Sequence, residues 1–142
     1  MKRLIVLILV CISPCINAQD GGAEYKNLGP SEFYIQMQSH PNSLVLDVRL
    51  FSEYRQERIP GAVLAEKREK LVSVTDSVDK ETHIFVYCED GERSATVSRI
   101  LTKELSFKNV YNLEKGLYAW KRKGLPIDDK KLKRNIIRKI FE

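Results

Sequence analysis

The sequence predicts a single α/β domain, in which a mainly parallel sheet is flanked by helices on both faces. Apolar runs alternate along the chain with stretches of helical periodicity, as in folds whose parallel strands are joined by helices. The clearest run, His83 to Tyr87, lacks polar–apolar alternation, so we expect it to be buried on both faces. The chain has 142 residues, 43% hydrophobic and 30% charged, which is enough for one domain with a core.

Each element is predicted from local signals. Gly29 and Pro30 begin the first helix, which ends before His40 and Pro41. A strand follows at 44–48 and contains one charged residue, Asp47. The remaining elements are a helix at 51–58, a strand at 62–65, a partly helical polar stretch at 66–80, a strand at 83–87, a helix between the Asp90–Gly91 turn and Leu105, a strand at 110–113 and a helix at 117–123.

The N-terminus has the layout of a cleaved secretory signal, predicted to span residues 1–18. Two basic residues precede an apolar run from Leu4 to Ile12, which is too short for a membrane span of about 20 residues, and Ala18 supplies a small residue for cleavage. Residues 19–23 then form a flexible leader. We therefore expect an exported protein of the bacterial periplasm. A lipoprotein signal is the weaker alternative, because Val10 and Pro14 fit poorly before Cys11 and Cys15.

The net charge of +5 is concentrated at the C-terminus. Residues 130–142 carry six basic groups against Glu142, and the mature chain before them is slightly acidic. No basic stripe with interleaved aromatic residues crosses the domain, so nucleic-acid binding is not expected. Residues 128–142 are predicted to form a basic amphipathic tail, helical and docked on the domain. The alternative is contact with an anionic membrane surface or an acidic partner.

Cys88 is the strongest candidate for a reactive residue. It ends the clearest strand, next to a helix N-terminus, where α/β folds place their sites and where main-chain N–H groups stabilise an anion. A thiolate held there is a nucleophile. Gly91 permits a tight turn, and Arg93 offers donors to an oxyanion. The predicted substrate-binding loop consists of Glu89, Asp90, Gly91, Glu92, Arg93 and Ser94.

The pattern Cys-x-x-Gly-x-Arg-Ser, between a buried strand and a helix, resembles the active loop of the rhodanese family of single-domain sulfurtransferases. Further segments resemble the family's other signatures and extend the likeness over residues 24–127, the predicted domain. These segments are Leu46-Asp47-Val48-Arg49, Glu53-Tyr54, Ile59-Pro60-Gly61-Ala62, Val110 to Gly116, Ala119-Trp120 and Gly124-Leu125-Pro126.

The resemblance implies a sheet of about five strands and a thiosulfate sulfurtransferase-like enzyme. Cys88 would take a sulfane sulfur from a small donor such as thiosulfate and pass it, as a persulfide, to cyanide or to a thiol, including a protein thiol. The resemblance implies no metal and no organic cofactor, and no Cys–His cluster has zinc spacing. Related phosphatases have five residues between Cys and Arg; here there are four, which fits sulfur better than phosphate.

The loop is unusually acidic, because Glu89, Asp90 and Glu92 stand against Arg93 alone. We therefore predict weak use of thiosulfate and better use of a neutral or cationic donor or a protein persulfide. Asp47 and Arg49 are interpreted as structural support for the site. His40 and His83 have no neighbour in sequence that suggests a general base.

Two functional classes are open at this point. The first is the sulfurtransferase; the second is a non-enzymatic binding module that uses the same loop to dock an anion or a partner thiol. The enzymatic hypothesis requires a Cys88 sulfur that is accessible to solvent and faces the main-chain amides.

Overall fold

The computed structural model describes residues 24–132. The predicted signal, the leader and tail residues 133–142 lie outside this range. The ten elements, in chain order, are β1 (Lys26–Leu28), α1 (Pro30–Ser39), β2 (Leu44–Asp47), α2 (Phe51–Tyr54), β3 (Val63–Leu64), α3 (Arg68–Thr75), β4 (His83–Tyr87), α4 (Glu92–Lys103), β5 (Asn109–Leu113) and α5 (Gly116–Arg122).

The five strands form one sheet in the order β1-β5-β4-β2-β3, and all four neighbouring pairs are parallel. This confirms the predicted α/β class. β4 lies at the centre, between β2 and β5, so its carboxyl end is surrounded by other strand ends. β1, at one edge, was not among the strands predicted from local signals.

Alternating side chains of the central strands supply two cores, one on each face of the sheet. Phe85 and Tyr87 of β4 pack on the face that also holds Phe33 and Trp120. Ile84 and Val86 point to the opposite face, where Leu101 of α4 packs. Cys88 continues this alternation and belongs to the second face. The register of β4 therefore determines on which side of the sheet the thiol lies.

The chain returns to the domain after α5. Arg58 and Asp128 exchange backbone hydrogen bonds of 3.0 and 2.9 Å, and Leu132 packs against the first core. Residues 128–132 are not helical, so the predicted tail helix does not include them; pairing of the Asp128 amide and carbonyl with Arg58 prevents a helix there. Within residues 24–132, no helix has the length and apolarity needed to cross a membrane.

Candidate active site

The Cys88 sulfur lies just beyond the carboxyl end of β4, inside the turn that leads into α4. It accepts main-chain N–H hydrogen bonds from Gly91 at 3.2 Å and from Ser94 at 3.4 Å. The Ser94 hydroxyl lies 3.4 Å from the same sulfur and 3.1 Å from the Gly91 carbonyl. The predicted loop thus brings two amides and one hydroxyl to the thiol. Such donors stabilise negative charge on sulfur.

The turn can direct its amides inward because its carbonyls are bound elsewhere. The Cys88 and Glu89 carbonyls accept N–H hydrogen bonds from Leu117 at 2.8 Å and Tyr118 at 3.1 Å, at the start of α5. Gly116 makes this approach possible: a Cβ there would lie 2.4 Å from the Glu89 carbonyl. The three α5 residues were not predicted as part of the site, although Gly116 ended one of the segments that resemble the family.

Gly91 meets a second steric requirement of the turn. Its φ angle is 95°, in the left-handed region that favours glycine. A Cβ at this position would also lie 2.9 Å from the Lys115 nitrogen and 3.0 Å from the Leu113 carbonyl oxygen. The turn therefore packs tightly against the segment between β5 and α5. This contact explains why glycine is needed three residues after Cys88.

The Asp90 side chain contacts the thiol. Its Oδ1 lies 3.4 Å from the Cys88 sulfur, within range of a hydrogen bond donated by the thiol, and accepts the Glu92 N–H at 3.1 Å. These two hydrogen bonds, that of Glu92 first, lower the pKa of Asp90. Cys88 is 0% exposed. The requirement that the sulfur face the amides is met, but the expected accessibility is wrong for this conformation, since Cys88 is fully buried.

Glu89, the first residue of the loop, forms an ion pair with Arg49, which follows β2. Arg49 Nη1 lies 3.2 Å from Glu89 Oε2, and its Nη2 donates to Asp47 Oδ2 at 2.7 Å and to the Glu57 carbonyl at 2.6 Å. Burial opposes the charged guanidinium, but the Asp47 carboxylate outweighs it and holds the pKa of Arg49 above its ordinary value. Asp47 and Arg49 thus form a buried ion pair beneath the loop, and neither contacts the sulfur among the described hydrogen bonds and ion pairs.

Tyr87 extends this buried network to the next segment of the chain. Its hydroxyl donates to Asp47 Oδ2 at 2.6 Å and accepts the Ile59 N–H at 3.0 Å. Burial, followed by the Asp47 charge, raises the pKa of Tyr87 well above its usual range. β2, β4 and the segment after α2 are therefore linked below the active-site turn.

The other two charged loop residues lie outside the group that contacts the sulfur. The Arg93 guanidinium is 3.5 Å from Glu53 Oε1, and nearly half of its side chain is exposed. Glu92 is exposed, and it is its backbone N–H that binds Asp90. Among the contacts of residues 24–132, none joins the Arg93 side chain to Cys88, so its predicted role toward an oxyanion depends on a substrate reaching out to it.

The two histidines meet at the opposite end of β4. Their rings stack with centroids 3.6 Å apart, and the Tyr111 hydroxyl lies 3.1 Å from His83 Nδ1. Burial, and then the charge of His40, lower the pKa of His83. The pair is therefore remote from the thiol and supplies no general base to it. In the described part of the chain, no three His, Cys, Asp or Glu side chains form a group that could hold a metal ion.

Comparisons with known proteins agree with this geometry. A profile of the rhodanese-like domain matches residues 30–123. The chain is 26% identical over 136 residues to rhodanese-like domain-containing protein 14 of Arabidopsis thaliana, a chloroplastic protein, covering 66% of this chain and 61% of that protein. It is 34% identical over 101 residues to the tRNA uridine(34) hydroxylase of Yersinia pestis, covering 65% of this chain and 28% of the hydroxylase. The chain therefore spans less than two thirds of either relative.

Solved structures show the same fold. The Alr3790 protein of Anabaena matches with a TM-score of 0.67 and 27% identity, over 80% of this chain and 87% of that one. The thiosulfate sulfurtransferase of Pseudomonas aeruginosa matches with a TM-score of 0.66 and 22% identity, over 82% of this chain and 23% of that one. The second likeness carries the fold alone.

Proposed function

Because this chain belongs to the rhodanese-like domain family, we propose that it is a sulfurtransferase that carries a sulfane sulfur as a persulfide on Cys88. The observation that supports this most directly is the convergence of the Gly91 and Ser94 N–H groups on the Cys88 sulfur, at 3.2 and 3.4 Å. Donors in this position stabilise the negative charge of the attacking thiolate and of the persulfide.

The proposed reaction has two transfers. The Cys88 thiolate attacks the outer sulfur of a donor; a new S–S bond forms, the donor's S–S bond breaks, and its electron pair leaves with the donor remnant, which is sulfite when the donor is thiosulfate. An acceptor thiolate or cyanide then attacks the outer sulfur of the Cys88 persulfide, and the Cys88 thiolate is released. Neither transfer needs an external oxidant or reductant, since the sulfur moves without a net change in electrons.

We propose that thiosulfate is a poor donor for this protein. Arg49 binds Glu89, and Glu53 binds Arg93, so the loop presents no unpaired cation to a dianion, whereas Asp90 lies directly at the sulfur. A donor that brings no negative charge to the loop, or a persulfide on a partner protein, is the proposed substrate class. Export, predicted from residues 1–18, would place this exchange outside the cytoplasm.

The second candidate is a binding module without turnover, in which the loop docks an anion or a partner thiol. Its support is the complete burial of Cys88, which is 0% exposed. The two candidates differ in one measurable property, because only the sulfurtransferase gains a sulfur atom on Cys88.

Intact-mass spectrometry after exposure to several sulfur donors tests this proposal. We expect the native chain to gain one sulfur atom and to lose it again to an added thiol, and the Cys88→Ser variant to gain none at that site. Cys11 and Cys15 are present in both chains, so sulfur bound to them cancels in the comparison. Equal mass gains for the native and variant chains with every donor would reject the sulfurtransferase and leave the binding module.

A further inference from the structure

Among the described residues, four groups lie within hydrogen-bond distance of the Cys88 sulfur, and they belong to residues that differ in solvent exposure. The Gly91 N–H, the Ser94 N–H and the Ser94 hydroxyl all belong to buried residues. Asp90, 3.4 Å from the sulfur, is the exposed member of the set. The amides therefore close the inner side of the thiol, and the Asp90 carboxylate lies on the side that faces solvent.

Asp90 is held over the sulfur by weak and local contacts. The same oxygen, Oδ1, accepts hydrogen bonds from the Glu92 N–H and the Cys88 thiol. Arg93 attracts the carboxylate electrostatically, but no described cation forms an ion pair with it. Rotation of an exposed side chain about its own bonds takes picoseconds to nanoseconds and needs no movement of the main chain. The cover can therefore move aside while Gly91 and Ser94 stay in place.

The other two loop carboxylates are not in this position. Glu89 is ion-paired with Arg49 at 3.2 Å, and the exposed Glu92 side chain has no contact with the sulfur among the described residues. Of the three loop carboxylates, Asp90 is therefore the one that contacts the sulfur.

We propose that Asp90 is a movable carboxylate cover that controls which donors reach Cys88. In the covered state the Cys88 thiol donates a hydrogen bond to Asp90 Oδ1. A thiolate, which is the nucleophile, has no proton to donate and is repelled by the carboxylate, so attack on a donor requires the cover to be open. The carboxylate then stays at the mouth of the loop and favours uncharged or cationic donors over dianionic ones. This inference rests on the proposed function for its substrates, but not for the cover itself.

The test measures how fast Cys88 reacts with three methanethiosulfonates that differ in charge: methyl, trimethylammonioethyl and sulfonatoethyl. In each, the Cys88 thiolate attacks the sulfenyl sulfur, a mixed disulfide forms and methanesulfinate leaves with the electron pair. All samples are full-length chains with Cys11→Ser and Cys15→Ser, so that Cys88 is the reacting thiol. The variants are Asp90→Ala, Asp90→Asn and the control Glu69→Gln, which removes an exposed carboxylate on α3, outside the loop.

We expect Asp90→Ala to raise the rate with the neutral methyl reagent by at least about fivefold, because the covered state is lost. Asp90→Asn keeps the size of the cover and removes its charge, so the ratio of anionic to cationic rates should rise by about three- to tenfold. Glu69→Gln should change the neutral rate by less than about twofold and the charge ratio less than Asp90→Asn does. An unchanged neutral rate in Asp90→Ala would overturn the cover, and an unchanged charge ratio in Asp90→Asn would overturn the selection by charge.

Urea unfolding of each variant is measured first; if Asp90→Ala does not fold, Asp90→Ser, which also shortens the side chain, takes its place in the test with the methyl reagent. These reagents report access to the thiol without any sulfur transfer. Reagent rates as expected, without any persulfide on Cys88, would support the cover and reject the proposed sulfurtransferase. A persulfide on Cys88, together with an unchanged methyl-reagent rate in Asp90→Ala, would support the enzyme and reject the cover.

Discussion

The chemistry proposed for Cys88 depends on the direction of a few main-chain dipoles. Two N–H groups point at the sulfur, and the Cys88 and Glu89 carbonyls point away from it, into the amides of Leu117 and Tyr118. Both orientations are needed, since a carbonyl oxygen turned toward the sulfur would repel a thiolate or persulfide. At this scale the start of α5 is as much a part of the site as the loop itself.

Gly116→Ala tests this dependence. The new Cβ would lie 2.4 Å from the Glu89 carbonyl, and φ at this position is 57°. We expect a loss of about 2–4 kcal/mol in the free energy of unfolding, from overpacking and left-handed strain together, and slower persulfide formation. Urea denaturation and the mass assay measure the two effects.

Gly124→Ala is the matched control for Gly116→Ala. Its φ is also positive, at 67°, but no atom lies within 4 Å of the added Cβ. This variant therefore carries the strain alone and should lose only about 1 kcal/mol, with normal persulfide formation. Equal losses in the two variants would show that the close approach to Glu89 has no energetic consequence.

Local sequence could identify the candidate for the reactive residue, but not the ion pairs that compensate the charges of the loop. Cys88, Gly91 and Ser94 follow from a short contiguous motif at a strand end. The pairing of Glu89 with Arg49 joins residues 40 positions apart, and a count of loop charges treats both as free. The Asp90 cover also depends on a side-chain rotamer that no local pattern specifies.

At the scale of elements, the strands that carry long apolar runs were predictable, and the edge strand β1 was not. β2, β4 and β5 lie inside the sheet and read as buried runs, whereas β1 has three residues, two of them exposed. Such a segment gains its strand conformation from pairing with β5, so its own sequence shows no period. The meeting of His40 with His83 is similarly tertiary, since it joins the end of α1 to the start of β4.

That histidine pair predicts a pH dependence of stability. Burial and the His40 charge lower the pKa of His83 in the folded chain, so the unfolded chain binds a proton more readily. The stabilisation is therefore complete above the ordinary histidine pKa of 6.5 and is lost as pH falls through that value toward the lower folded pKa. We expect the melting temperature of the native protein to fall between pH 7.5 and 5.5, and that of His83→Gln to fall less.

The chain has two histidines, and no other side-chain type has an ordinary pKa within this pH window. His40→Gln is the companion variant: it removes the neighbouring charge and the stacked ring but leaves His83 in place, so its pH dependence should be intermediate. A native protein and a His83→Gln variant with the same fall in melting temperature would contradict the assignment.

At the scale of the whole molecule, the full length of β4 separates the histidine pair from the thiol. The described segment after α5 binds to Arg58, in the segment that follows α2. Arg58 is buried, and its Nη2 donates to Asp128 Oδ2 at 2.6 Å and to the Lys130 carbonyl at 3.1 Å. Burial opposes the Asp128 carboxylate, but the Lys130 N–H and Arg58 outweigh it and lower the pKa of Asp128. Residues 128–132 therefore act as a strap on the fold.

Asp128→Asn measures what this strap contributes. The variant leaves the buried Arg58 guanidinium without its counter-ion, and because Asp128 is partly exposed we expect a loss of about 1–2 kcal/mol in the free energy of unfolding at neutral pH. The native contribution is present above the ordinary Asp pKa of 3.8 and is lost as pH falls through the lower folded pKa, so the two proteins should converge in acid. Asp129→Asn, which removes the same charge at a residue without an ion pair to any other described residue, should cost under about 0.5 kcal/mol. Urea titrations at neutral and acidic pH measure all three, and equal losses for the two variants would mean that the tail is not fastened through Arg58.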